Sequence, residues 1–429
     1  MLTASRWSTC DHGPVDDGAG TGNELVALDE VSAARERIGD TLRTTPVWRA
    51  ASLSALTGRH VWVKAENLQR TGSFKPRGAL NFVRADPEDR RPVVAASAGN
   101  HAQGVALAAA EAGVAATVFM PLTASLPKVR ATRDYGAEVR QVGDAVDDAI
   151  VAARAHAEAT GGRFVSPFDH PLVIAGQGSV GLELVEQLGG LRDEPVTVLV
   201  PVGGGGLVSG VAVALRAQAP GWRILGVEAA GAASMVASLA AGRPVPVEHP
   251  ATMADGIALK APSALTLAHV EALVDEVVTV TEEEIAAALL LLLERARCVV
   301  EPAGAVGLAA VVGGRVPSTG PVVCLLSGGN VDPMLLTGLI EHGLTVAGRY
   351  LRLRAIIPDR PGALALLTRV LADLDLNVTD VEHHRAGITL GVDEVEVLVT
   401  VETRDRAHGD EVLAALREAH IHAEVVGLG

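Results

Sequence analysis

The stretch TVLVPVGGGGLVSGVAVALRAQ, residues 197–218, passes from an apolar, β-branched run through four consecutive glycines into an Ala/Leu-rich segment. A short buried strand, a tight glycine turn and a helix are the plain reading of that order. The same sequence of events recurs along the chain. HVWVKAE (60–66), PVVAASAG (92–99), AATVFMP (115–121), EVRQVG (138–143), RILGVEA (223–229) and PVVCLLSGG (321–329) are each followed by a helix-like stretch. Strand, turn and helix repeated in this way predict a parallel α/β sheet. Such sheets bind ligands where the carboxyl ends of the strands turn into helices. Three of those turns are unusually polar or glycine-rich: SAGNHAQG (97–104), GGGGLVSG (203–210) and SGGNVD (327–332).

The pattern changes after Val346. RYLRLRAIIPDRPGAL, a helical stretch, NVTDVEHHR, EVEVLVTVET, a second helical stretch and IHAEVVGLG read as strand, helix, strand, strand, helix, strand. That is the ferredoxin-like split βαβ order, expected as a separate module over 346–429 with GLTVAGR as its linker. At the other end, residues 1–24 are rich in Gly, Asp, Ser and Thr and are expected to form a disordered extension.

The composition narrows the partners. With 429 residues, 48% of them apolar, the chain has enough material for two or three cores. A net charge of −15 without a compensating basic cluster argues against nucleic acid or an anionic membrane and favours small ligands. Three widely spaced cysteines (Cys10, Cys298, Cys324) suggest neither a disulfide framework nor a zinc site, which fits a reducing cytoplasm. The longest aliphatic run, IAAALLLLL at 285–293, is too short to span a bilayer and reads as a buried helix.

Lysine is scarce. Of 36 Lys plus Arg, lysine stands only at 64, 75, 128 and 260, yet one of the four lies in NLQRTGSFKPRGA (67–79). A primary amine forms Schiff bases and titrates when buried, and a guanidinium does neither. An arbitrary lysine belongs on the surface. Here Phe74 and the glycines at 72 and 78 suggest close approach of the backbone to a flat ligand. Gly203, Gly204, Gly205 and Gly206, followed by Leu207 at a helix start, can converge backbone N–H groups on a phosphate, although a tight structural turn is the alternative. Amine and phosphate cradle together point to pyridoxal phosphate. Asn100 reads either as a helix N-cap or as an amide donor to the cofactor's phenolic oxygen. Ser97, Ala98, Gly99, Asn100 and His101 form the candidate substrate-carboxylate turn, with the His101 imidazole itself better read as structural. Ser327 is either a cap or a neutral partner for the pyridine nitrogen.

KAENLQRTGSFKPRGA, SAGNHAQG, PVGGGGLVSG, TMADGIAL, EPAGA and SGGNVD, in this order and spacing, resemble the fold-type II pyridoxal-phosphate enzymes, most closely the threonine/serine ammonia-lyases. PDRPGAL (358–364) resembles the turn of an ACT domain, the amino-acid-sensing unit of regulated members. The resemblance implies a tryptophan-synthase-β-like α/β body over 25–345, with a small domain at about 87–173, and an α+β ACT domain. It implies that Lys75 bonds the cofactor, Phe74 packs near its ring, Asn100 meets the phenolic oxygen, Gly203–Gly206 hold the phosphate and Ser327 faces the pyridine nitrogen. The implied activity is β-elimination of L-threonine to 2-oxobutanoate and ammonia, and of L-serine to pyruvate, by a homo-oligomer (dimer or tetramer). Asp359, Arg360, Pro361, Gly362 and Ala363 become the candidate effector site, for isoleucine or valine.

Two departures qualify the resemblance. Serine racemases carry a serine where this chain has Ala98, which disfavours racemisation. Some relatives hold a divalent cation with a Glu and an Asp six residues on, whereas here Glu228 is followed by Ser234, so no metal is expected. A serine-specific dehydratase or racemase, an O-acetylserine or phosphohomoserine lyase and a catalytically silent amino-acid sensor remain the alternatives.

Overall fold

The computed structural model describes residues 24–385, 391 and 393–426. The expected N-terminal extension, with Cys10, therefore lies outside the described residues apart from Glu24. The strands are β1 (Val47–Arg49), β2 (Val61–Ala65), β3 (Val93–Ala96), β4 (Ala116–Met120), β5 (Glu138–Gln141), β6 (Arg163–Phe164), β7 (Thr197–Pro201), β8 (Arg223–Ala229), β9 (Glu276–Val280), β10 (Val322–Leu326), β11 (Tyr350–Pro358), β12 (Val378–His384), β13 (Glu394–Glu402) and β14 (His422–Val425).

They form three sheets. The largest has the order β1-β2-β10-β7-β8-β9, parallel except for the antiparallel β1–β2 pair. A second, wholly parallel sheet has the order β5-β4-β3-β6. In β3, β4, β7 and β10 every residue is buried, because helices cover both faces of a parallel sheet. Such strands are written as unbroken apolar runs. The third sheet, β12-β13-β11-β14, is antiparallel. Its strands alternate instead: Leu353, Ala355 and Ile357 of β11 and Val395, Val397, Val399 and Val401 of β13 face one core with Leu367, Leu371, Val412 and Leu416 of the two helices. The strand and helix order is the ferredoxin-like one expected.

The connection differs from the expected linker. Most of GLTVAGR is the last turn of the helix Pro333–Val346, so only residues 347–349 separate helix from β11. Thr345 and Val346 carry no Gly or Pro to break the helix, and Gly348, at φ +68°, does so two residues later. The aliphatic run 285–293 is helical as expected. It passes from the α-helix Glu282–Leu291 into a π-helical turn, Leu292–Ala296, that ends at Arg297 with φ +60°.

In the large sheet β10 lies between β2 and β7, with Leu326 beside Ala65 and Cys324 beside Leu199. The chain leaving Ala65, Leu326 and Pro201 therefore emerges at one edge of the sheet. This adjacency brings NLQRTGSFKPRGA, SGGNVD and the glycine run together across more than 250 residues of sequence.

Candidate active site

Lys75 opens the helix Lys75–Arg84, with Pro76 in its first turn, where the missing N–H costs nothing. The helix is anchored behind by a buried ion-pair network. Arg77, 1% exposed, donates from Nε and Nη2 to Glu66 at 2.8 Å each and from Nη1 to Glu183 at 2.6 Å and Ser179 at 3.1 Å. Lys64 donates to Glu183, to the Thr45 carbonyl and to Gln187. Burial works against the Arg77 charge, yet Glu66 and Glu183 hold its pKa above the ordinary value. Each buried charge in this network has a counter-charge.

Gly78 corrects one sequence expectation. It meets the helix Pro171–Gln187 rather than a ligand, since a Cβ there would lie 2.5 Å from Gln177 Nε2 and 2.9 Å from the Val173 carbonyl. Its glycine is needed for helix crossing. Gly72 is a turn residue at φ +71°, packed on Asn330.

The front of the helix is sparsely paired. Lys75 Nζ donates to the Pro167 carbonyl at 3.0 Å and lies 5.1 Å from the Phe74 ring centroid. Desolvation lowers its pKa from 10.5 to about 8, against an opposing pull from Glu301. The next residue, Phe168, walls the glycine turn: a Cβ on Gly204 would lie 2.4 Å from its ring, and one on Gly206 2.9 Å from its Cβ. Pro167 and Phe168 thus bring amine and glycine turn together. Gly205, at φ +90°, is the N-cap of the helix Gly206–Gln218 and offers no side-chain cap, so the first N–H groups of that helix are left for a ligand. Ile257 backs Gly203, and Met235 and Thr266 back Gly205.

SGGNVD is strapped to the lysine segment. Ser327, 3% exposed, accepts the Phe74 N–H through its carbonyl at 3.1 Å, and Ser73 forms a β-bridge with Gly328. The buried hydroxyls of Thr71, Ser73 and Ser209 have no hydrogen-bond partner among the described residues.

Asn100 is not the helix cap. Gly99 holds that position and Asn100 is the first residue of the helix Asn100–Ala112. Freed from capping, its amide donates to Glu301 Oε1 at 2.8 Å and Oε2 at 3.0 Å and accepts from Asn330 Nδ2 at 2.9 Å. Ser97 Oγ accepts the Gly99 N–H at 3.1 Å. Residues 97–100, including Ala98, are partly accessible, while the His101 imidazole turns inward to the Val165 carbonyl at 2.8 Å. Burial and the nearby Lys75 charge lower His101 to about 3, which suits a structural ring.

Glu301 and Asn330 are cleft residues that the sequence reading passed over, although EPAGA and SGGNVD contain them. A Glu before Pro-Ala-Gly looks like an ordinary helix entry, and Glu301 is indeed the N-cap of Pro302–Val312. Its 5% exposure comes only from the fold. Glu228 is also buried and accepts the N–H groups of Met235 and Val236 at 2.8 and 2.9 Å, so a helix start satisfies its oxygens. Among the described residues no His/Cys/Asp/Glu cluster could hold a metal. The turn Asp359–Ala363 is exposed or half-buried, with Gly362 at φ +91° capping the helix Ala363–Asp373 and Asp359 3.5 Å from Arg385.

The free amine, uncapped glycine turn and orphaned hydroxyls fit an aldehyde cofactor bearing a phosphate. Comparison with known proteins agrees. Residues 38–328 match the family model "Pyridoxal-phosphate dependent enzyme", and residues 352–420 match "ACT domain". The chain is 46% identical over 390 residues to an L-threonine ammonia-lyase of Geobacter sulfurreducens, covering 90% of this chain and 96% of that one. It is 43% identical over 405 residues to an L-threonine ammonia-lyase of Thermotoga maritima, covering 94% and 100%. Among solved structures, a T.th. threonine deaminase is 44% identical with a TM-score of 0.68, covering 71% of this chain and 99% of that one. A maize serine racemase is 34% identical with a TM-score of 0.69, covering 75% and 99%.

Proposed function

Because the chain belongs to the family of pyridoxal-phosphate-dependent enzymes and ends in an ACT domain, we propose that it is an L-threonine ammonia-lyase whose activity is set by an amino acid bound to that domain. L-Threonine gives 2-oxobutanoate and ammonia, and L-serine gives pyruvate and ammonia. The observation that carries the reading is the Lys75 amine held beside the glycine turn by Pro167 and Phe168. Similarity to enzymes named for this activity along nearly the whole chain supports the choice of substrate.

When bound, pyridoxal phosphate supplies the electron sink for the pair left at Cα as its proton departs. The protein's part is positional and protolytic. Backbone N–H groups of Gly203–Gly206 and Leu207 would hold the phosphate, and Phe74 would pack near the ring. Asn100 would meet the phenolic oxygen and Ser327 the pyridine nitrogen. The substrate carboxylate lies at the start of the Asn100 helix, on Ser97 and the N–H groups around Gly99 and His101. Lys75 Nζ takes the Cα proton, which requires the neutral amine, and a pKa near 8 makes that form accessible at working pH. Ala98 offers no proton on the opposite face, which favours elimination over racemisation.

The division of labour follows the sheets, with residues 25–345 as the catalytic body, a small domain at about 87–173 and 346–429 as the regulatory module. Isoleucine or valine binds at Asp359–Ala363. Dimers or tetramers in the cytoplasm complete the reading, and the buried thiols of Cys298 and Cys324, which form no disulfide, support the reducing compartment. Among the described residues no helix is long and apolar enough to cross a membrane.

A keto-acid assay on L-threonine, L-serine and D-serine, beside Lys75→Ala, tests the activity. Turnover of L-threonine by the parent alone is expected, and failure of the cofactor-loaded parent on both L-amino acids would overturn the assignment. Removing residues 346–429 is expected to abolish the response to isoleucine or valine. Persistence of that response would sink the regulatory half.

A further inference from the structure

The Asn100 amide has a donor on one side and a double acceptor on the other. Asn330 Nδ2 donates to its oxygen at 2.9 Å, and Asn330 is itself fixed by donating to the Thr71 carbonyl. Both Glu301 oxygens accept from its nitrogen. An amide whose ends see opposite partners cannot flip without losing every one of these hydrogen bonds. The Glu301 backbone is held in turn. Its backbone N–H donates to the Gly328 carbonyl at 3.0 Å, and Pro302 follows in the first turn of its helix. A Cβ on Gly328 would lie 2.3 Å from Glu301 Oε1, so only glycine leaves room for the carboxylate there.

We propose that Glu301 is a positioning residue that acts through Asn100, fixing which end of the amide meets the cofactor's phenolic oxygen and placing a negative charge behind that contact. The inference rests on the reading of Asn100 given under the proposed function. Three charged groups face the carboxylate besides the Asn100 amide: Lys75 and Lys128 favour its ionised form, and Asp255 opposes it. Burial dominates and raises Glu301 to about 7, so the group changes charge close to neutral pH. A carboxylate supports a cationic form of the bound cofactor, and its loss removes that support.

The experiment compares the cofactor-loaded parent with Glu301→Gln, Glu301→Asp, Asn100→Ala and the double variant Glu301→Gln/Asn100→Ala. It reads the pH midpoint of the bound cofactor's absorbance change and, separately, kcat and KM for L-threonine. Glu301→Gln is expected to retain cofactor and move the midpoint to lower pH. It should lower kcat by about tenfold to a hundredfold, the range for loss of a residue that orients a site group, with KM nearly unchanged. Glu301→Asp, which keeps the charge, should fall between parent and Glu301→Gln. In the Asn100→Ala background the Glu301→Gln change should add no further loss of kcat, because its orienting effect runs through Asn100, while the shift of the midpoint, which follows the charge, persists. A midpoint identical to the parent's overturns the proposal, and so does full additivity of the kcat losses in the double variant. If Glu301→Gln is insoluble, Glu301→Asp alone and in the Asn100→Ala background makes the same comparison. A parent without any cofactor band overturns the functional reading itself, a different result from an unmoved midpoint.

Discussion

Lys75 and Arg77 stand two residues apart on one helix and are treated in opposite ways. Arg77 faces a closed interior where Glu66, Glu183 and Ser179 accept its donors. Lys75 is only partly buried, with one carbonyl and the face of the Phe74 ring as its close partners. In the first region the Arg77 charge is paired and its pKa is reinforced. In the second the Lys75 charge is left short of partners and pulled toward neutrality. Complete pairing makes a rigid base, and incomplete pairing makes a reactive group on top of it. An arginine suits the base because its planar fork binds two carboxylates at once. A lysine suits the cleft because it can lose its proton.

Substitutions that invert these environments should have effects in a definite order. Lys75→Ala should lower kcat on L-threonine by about 10⁴-fold or more, roughly 5.5 kcal/mol of barrier, without lowering the melting temperature. A loss of fold in its place would mean that Lys75 belongs with the structural network. Glu183→Ala should do the reverse. By leaving Lys64 and Arg77 with a missing counter-charge it should cost about 3–5 kcal/mol of stability, measured by denaturant unfolding. A cost below about 1 kcal/mol would show that the network relaxes around the gap. Gly204→Ala comes next. The new Cβ meets the Phe168 ring at 2.4 Å, and overpacking of about 1–3 kcal/mol should appear chiefly as weaker retention of pyridoxal phosphate in dialysis. The last effect concerns pH. In cofactor-free protein the Lys75 pKa falls from 10.5 to about 8, so between those values the folded state binds fewer protons than the unfolded state. Stability should therefore rise with pH across that window, and the burden of the charged amine should be felt in full below it. Melting temperatures of parent and Lys75→Ala should converge as pH rises from 8 to 10.5. A constant gap would place the lysine in solvent.

Much of this was legible before any coordinates. The parallel sheets declared themselves because strands covered on both faces are continuous apolar runs, and the C-terminal sheet because one-sided strands such as β11 and β13 alternate. The short strands β1, β6 and β9 were missed. β6 spans two residues, and β9 is half-buried at a sheet edge, so neither carries a full pattern. In the cleft Lys75 could be found from its rarity and from glycine spacing. Gly78, in the same motif, looked like a point of close approach to a ligand and proved to be a helix-crossing point, while the ion-pair anchor Arg77 was passed over.

Sequence alone determined what is local in this protein: strand and helix order, the glycine turn at 203–206, the scarcity of lysine and the residue types able to carry the chemistry. These depend on neighbours a few positions away, and they are written in the chain. Tertiary structure decided the pairings of Asn100 with Glu301, of Lys75 with Pro167, and of Arg77 with Glu183. A pKa or an amide orientation is set by groups that meet only when β2, β10 and β7 are laid side by side. Burial and charge act through space over a few ångströms, and distance along the chain carries no record of them.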